Sequence, residues 1–219
     1  MLMNRKSPTL LRLAALLSAV LALAGGYWLA DQLLGKTPDL SGLRATVFSE
    51  PRAIEPFTLV DHTGKPFDNA SLEGRWSFVF FGYTHCPDVC PTTLSVLNSV
   101  ARKLEDQKDR VQFVFISIDP GRDTPEQLGQ FVSYFNGSFI GATGGEDALS
   151  ALTRQIGVIY ARVAVNSGGP DAAQDNYLMD HSASVLLFNP RGRFHAVFTP
   201  PLDAKSMADD FRLISDAYR

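Results

Sequence analysis

Residues 76–94 read WSFVFFGYTHCPDVCPTTL, and this stretch decides the fold. WSFVFF, Trp76 to Phe81, is almost wholly aromatic and β-branched, which predicts a strand buried on both faces. After it, Leu94, Leu97, Val100, Ala101 and Leu104 recur at helical spacing, with Lys103, Glu105 and Asp106 on other faces. Cys86 and Cys90, the only two cysteines in the chain, lie between strand and helix. In α/β sheets that place, beyond the carboxyl end of a strand, is where ligands bind. The helix is predicted to begin near Cys90-Pro91, with Pro91 at the first helical position. A helix N-terminus favours negative charge, so this position predicts thiolates.

Outward from this centre, strand and helix patterns alternate. Phe57 to Val60 reads as a short strand and Asp61 to Gly64 as its turn. VQFVFISI, Val111 to Ile118, is a second buried strand that ends at Asp119-Pro120-Gly121. Thr124-Pro125-Glu126-Gln127 predicts a helix start, with Thr124 as N-cap, Pro125 at the first position and Gln127 closing a capping box. Residues 147–156 read as a further helix, 158–165 as a strand, and 183–188 and 194–198 as a hairpin around Asn189-Pro190-Arg191-Gly192. Residues 204–218 form a closing amphipathic helix. The pattern predicts an α/β sandwich with a largely parallel core and a hairpin edge.

Leu13 to Ala30 carries no charged residue and approaches the roughly 20 apolar residues that cross a bilayer. Arg5, Lys6 and Arg12 precede it and Asp31 follows, which places the N-terminus in the cytoplasm and the rest outside. Ala22-Leu23-Ala24 offers a cleavage site, but the apolar run continues through Tyr27, Trp28 and Leu29, which favours an uncleaved anchor. The domain reading is a cytoplasmic N-terminus at 1–12, an anchor at 13–30, a linker at 31–53 and a folded domain at 54–219. A net charge of −3 with no basic stripe argues against nucleic-acid binding. Export permits disulfides.

Two thiols four positions apart fit a structural disulfide, a redox pair or a metal site. One helical turn puts their Cα atoms about 6 Å apart, compatible with a reversible disulfide. A loop that short gains little stability from closure, which disfavours a purely structural bridge. The histidines His62, His85, His181 and His195 supply the candidate third donor. His85 is expected to face away from Cys86, and His62 and His195 read as packing or surface residues. His181, in Tyr177-Leu178-Met179-Asp180-His181-Ser182, reads as part of a loop that leads into the strand 183–188, and it overhangs the cysteines if that strand neighbours 76–81. Asp180 is then an acceptor for its ring or an electrostatic modulator, and Met179 a packing residue. Asp88 is expected to face solvent, Asp119 to end a strand and Asp123 to precede a cap.

FGYTHCPDVCPTTL, FVFISIDPGRDTPEQL (113–128) and DHSASVLLFNP (180–190), in this order behind an apolar N-terminal segment, resemble the Sco/SenC family. The resemblance implies a thioredoxin-like fold, a central mixed sheet flanked by helices, behind an N-terminal transmembrane helix. It implies one copper per domain, Cu(I) or Cu(II), on Cys86, Cys90 and His181, with Cys86 and Cys90 also a redox-active pair. It further implies a role in assembling cytochrome c oxidase. The partners would be the oxidase subunit carrying the dinuclear copper centre, a thiol reductant and another copper chaperone, with the domain in the periplasm on the inner membrane. Thiolates suit Cu(I) and imidazole suits either state; structural zinc usually takes four protein ligands, more than this chain's cysteines support.

Three functions compete. A membrane-tethered copper metallochaperone needs all three residues and turns over no substrate. A thiol-disulfide oxidoreductase needs Cys86 and Cys90 but not His181. A peroxide-reducing or redox-sensing protein ranks third.

Overall fold

The computed structural model describes residues 8–34, 40, 42–164 and 177–218, so Arg5, Lys6, Val165 and part of the segment read as a linker lie outside the described residues. Two compact units divide at residue 39. In the first, helix α1 spans Pro8–Leu34 and contains an apolar stretch, Arg12–Ala30, long enough to cross a bilayer. The described side chains of that stretch are exposed, among them Leu16, Leu21, Tyr27 and Trp28. A helix apolar on every face is stable only in a non-aqueous surrounding or against a partner.

The second unit is built on strands β1 (Thr46–Arg52), β2 (Thr58–Asp61), β3 (Pro66–Asp68), β4 (Trp76–Gly82), β5 (Val111–Ser117) and β6 (Ile140–Thr143). Further along come β7 (Tyr160–Ala164), β8 (Tyr177–His181), β9 (Val185–Phe188) and β10 (Phe194–Phe198). Helices α2 (Val89–Lys103), α3 (Pro125–Phe135), α4 (Glu146–Ile156) and α5 (Ala204–Ala217) complete it. Eight strands form one sheet in the order β1-β10-β9-β4-β5-β6-β2-β3, and β7 pairs only with β8 in a separate ribbon. This is the thioredoxin-like mixed sheet flanked by helices that the family resemblance implies.

Every residue of β4 and of β5 is buried, as their unbroken apolar runs require. Their faces are filled with aromatic rings. Phe78 stacks on Phe113 at 5.1 Å and on Phe198 at 5.7 Å, and Trp76 meets Phe211 of α5 edge-on at 5.7 Å. The cap of α3 forms as read: Thr124 Oγ1 accepts from the Gln127 amide, and the Gln127 side chain accepts from the Thr124 amide.

The parallel character is narrower than the helix–strand alternation suggested. Only β4, β5 and β6 run parallel, and every other pairing is antiparallel. The β9–β10 hairpin is not an edge either, because β1 pairs with β10 on its outer side. β1 falls within the segment read as a linker. Its sequence, TVFSEPR, has a proline and two charges, which suit an edge strand and mask the strand pattern. The start of β1 is fastened to α5 by buried Asp210, whose Oδ2 accepts from the Arg44 and Ala45 amides at 2.8 and 2.9 Å. Replacing Asp210 with Ala leaves both amides unpaired. The expected loss is about 1.5–3 kcal/mol, read from the midpoint of urea denaturation; an unchanged midpoint would show that β1 is held by the sheet alone.

Candidate metal centre

β9 runs antiparallel to β4, with Phe80 opposite Val185. The end of β4 and the beginning of β9 therefore meet at one edge of the sheet. The chain leaving β4 turns through Tyr83 to Asp88 into α2, and the chain entering β9 comes from β8, which ends at His181. This brings together residues ninety-one apart: His181 Nε2 lies 3.3 Å from Cys90 Sγ. Cys86, Cys90 and His181 place one donor atom each within 4.8 Å of one another, the only such group of His, Cys, Asp or Glu among the described residues. Both cysteines are free thiols.

Helix α2 starts at Val89, earlier than read, so Pro91 is its third residue. The position tolerates proline because the first four helical amides have no intrahelical acceptor. One of these amides, that of Cys90, donates to Cys86 Sγ at 3.3 Å. Cys90 itself has no exposed surface. Burial, reinforced by the hydrogen bond with Cys86, pushes its thiol far above the ordinary value. The thiolate expected from the helix start is therefore not the state of Cys90, because desolvation outweighs the helix field. Backbone packing seals it further: a Cβ on Gly82 would lie 2.7 Å from Cys90 Sγ and 2.8 Å from the Phe115 ring.

Burial also lowers the His181 pKa, so the imidazole is neutral near pH 7. Its Nδ1 lies 3.1 Å from the Ser182 carbonyl, a group that only accepts. Nδ1 therefore carries the proton, and the Nε2 lone pair faces Cys90, whose S–H donates to it. Phe80 and Tyr83 wall the ring, with centroids 5.9 and 6.1 Å away. Asp180 is exposed and is not the acceptor of the ring; its charge favours the protonated imidazole, but less than burial disfavours it.

Elsewhere, His85 Nδ1 meets Thr84 Oγ1 at 3.1 Å and its ring is half exposed. His62 Nδ1 accepts from the Gly141 amide, and His195 lies buried against Trp76. Met179 is buried and Asp88 is exposed.

Two residues have larger parts than the sequence indicated. Asp119 and Asp123 are both buried. Asp123 accepts from the Thr84 amide at 2.9 Å, from Thr84 Oγ1 at 2.6 Å and from Ser117 Oγ at 2.6 Å, fixing the loop that precedes Cys86. Asp119 accepts from Arg122 and Tyr177. The signal was two carboxylates directly after a buried strand, where unpaired charge is costly.

The site is half open. A cleft of about 410 Å³ beside Cys86 is lined by Tyr83, Pro87, Val89, Leu178 and Met179. Cys86 is its reachable sulfur, since Cys90 is sealed.

A thioredoxin-like domain that gathers two thiols and one neutral imidazole at the end of its central strand defines a class: proteins that bind a soft metal or exchange thiols. The sequence model of the SCO1/SenC family matches residues 47–215, and the chain belongs to that family. It is 38% identical over 157 residues to an SCO2-like protein of Rickettsia prowazekii, covering 72% of this chain and 74% of that one. Copper-bound ScoI of Bradyrhizobium japonicum matches with 36% identity and a TM-score of 0.64, over 74% of this chain and 99% of that one. Copper-bound yeast Sco1 matches with 30% identity and a TM-score of 0.68, over 77% and 91% of the respective chains.

Gly82→Ala tests the sealed sulfur. Forcing Cβ against Cys90 and Phe115 is expected to cost about 1–3 kcal/mol, seen in thermal or urea denaturation of the reduced protein. A variant as stable as the parent would mean that the two side chains give way freely.

Proposed function

We propose that this chain is a membrane-tethered copper carrier. It holds one copper on Cys86, Cys90 and His181 and delivers it to the dinuclear copper centre of cytochrome c oxidase during assembly. The observation that carries this reading is the convergence of two sulfurs and a deprotonated imidazole nitrogen within 4.8 Å. The donor set fits the metal. Thiolates select Cu(I), and imidazole accepts Cu(I) or Cu(II). A structural zinc site would require a fourth protein donor, and the group comprises three among the described residues. The copper-bound structures of the two relatives support the same assignment.

The neighbours of the site suit a cargo that must leave. The Ser182 carbonyl holds the His181 ring with Nε2 toward the sulfurs, so one donor is preset before copper arrives. Cys86 borders the open cleft, so an incoming thiolate from the acceptor meets that sulfur first and copper moves by ligand exchange. Helix α1 is read as the anchor, with its N-terminus in the cytoplasm and the domain in the periplasm. A thiol reductant keeps the pair open, and another copper chaperone supplies the metal.

A second reading rests on the same sulfurs. Cys86 and Cys90 are free and adjacent on a thioredoxin-like scaffold, which fits a pair that reduces the cysteines of the oxidase copper site. His181→Ala separates the two. Copper titration of the reduced full chain is expected to give one Cu(I) per chain in the parent and clearly weaker binding in the variant. Undiminished delivery by the variant would favour the redox role. Oxidation to the Cys86–Cys90 disulfide removes both thiolates, so the oxidised chain is expected to bind no Cu(I) in a competition assay; tight binding without reductant contradicts the assignment.

The raised Cys90 pKa gives a pH test with a definite sign. Copper displaces the Cys90 proton, so apparent affinity should rise with pH by about tenfold per unit for that proton. His181, already neutral near pH 7, adds nothing to this slope. A flat profile between pH 6 and 8 would show that Cys90 is not a thiolate ligand.

A further inference from the structure

The ribbon β7–β8 delivers His181, yet it shares no ladder with the eight-stranded sheet. An isolated two-stranded ribbon is only marginally stable. The chain leading into β9 brings the His181 end of β8 to the cysteines, while the far end of the ribbon is held by side chains that converge at Tyr177, the first residue of β8.

Asp119, at the end of β5, has no exposed surface, and both its oxygens are used. Oδ2 accepts from Arg122 Nε at 2.5 Å and Oδ1 from the Tyr177 hydroxyl at 2.5 Å. Arg122 Nη1 donates to the Tyr177 carbonyl at 3.1 Å, and the guanidinium lies 3.6 Å over the Tyr177 ring. On another side the same guanidinium is 5.8 Å from the ring of Tyr83, the residue that opens the cysteine loop and whose ring meets His181 edge-on. Arg162 of β7 packs 5.0 Å over Tyr177 while ion-paired with Glu146. One arginine thus touches the strand end, the cysteine loop and the head of the strand that carries the imidazole.

Arg122 Nη2 is buried and has no hydrogen-bond partner among the described residues. The planar fork lets one side chain hold the Asp119 carboxylate and the Tyr177 carbonyl at once while its flat face covers the Tyr177 ring.

We propose that Arg122, seated on Asp119, is a positioning residue of the metal centre: it fixes the head of β8 and so sets the reach of His181 to Cys86 and Cys90. This deepens the copper reading above and rests on it for its metal arm. Arg122 touches neither sulfur nor imidazole; its closer contacts are with Tyr177 rather than Tyr83, so its effect on binding is assigned to β8 and His181 rather than to the cysteine loop. Lysine keeps the charge but loses the fork and the flat face that stacks on Tyr177.

The test uses the full chain, reduced, with Arg122→Lys, Arg122→Ala and each combined with His181→Ala. In the metal-free protein, amide exchange of residues 177–181 is expected to accelerate at least about tenfold in Arg122→Ala, with 76–82 and 111–117 unchanged. In Cu(I) competition, Arg122→Ala should weaken affinity by about 10–100-fold, the usual effect of removing a group that orients a ligand. Arg122→Lys should fall between it and the parent. In the His181→Ala background the Arg122 change should cost less than about twofold, because its route is already gone.

Two results overturn the proposal: an Arg122→Ala affinity equal to the parent, or an equal loss with and without His181. Should Arg122→Ala fail to fold, Tyr177→Phe, which removes only the hydroxyl on Asp119, carries the same comparison. If the parent binds no copper, the copper reading fails, and the exchange of residues 177–181 still decides whether Arg122 holds the ribbon.

Discussion

The antiparallel pairing of β9 with β4 is the constraint on which the rest depends. β4 is central, buried on both faces and parallel to β5, so its C-terminal end is also the end of β5. With β9 running the other way, whatever precedes β9 must lie where β4 and β5 finish. The cysteine loop, the aspartates after β5 and His181 before β9 are thereby delivered to one edge by three separate segments.

At that edge the chemistry is set by burial more than by helix polarity. An amide at the start of α2 reaches a sulfur, but it is Cys86 that receives it. Cys90, packed against Gly82 and Phe115, stays a protonated thiol that donates to His181. The Cys90–His181 pair is therefore electrically quiet: a neutral imidazole and a neutral buried thiol share a hydrogen bond. A cation that replaces the proton gains two donors already at hydrogen-bond distance and brings the charge that makes a buried thiolate tolerable. The polar groups nearby do structural work. Asp123 ties Thr84 to Ser117, and Asp119 joins Arg122 to Tyr177.

The ribbon adds a different kind of element. The sheet fixes the cysteines through the rigid ends of β4 and α2, whereas β8 is joined to the domain largely through side chains around Tyr177. With two donors on a rigid frame and the third on a ribbon held by side chains, the geometry of the site depends on how that ribbon is held. The cleft beside Cys86, walled partly by β8 residues Leu178 and Met179, shares that ribbon.

The central strands, the helix behind the cysteines and the cap of α3 were legible from the chain's own pattern. These features depend on local periodicity and short-range hydrogen bonds, which neighbouring residues encode. The sequence also singled out Cys86, Cys90 and His181 as candidates, the first two through scarcity and spacing. Tertiary structure alone decided the rest. β1 was hidden because an edge strand with proline and charges carries no apolar alternation, and its identity comes from pairing with β10. β8 read as a loop because its partner is β7, across residues with no strand signal of their own. The partners of Asp119, Arg122 and Asp123 were not legible, since they lie far off in sequence and only folding brings them together. The protonation of Cys90 was misread for the same reason: a helix start is visible in sequence, but the desolvation that overrides it exists only once the chain has packed.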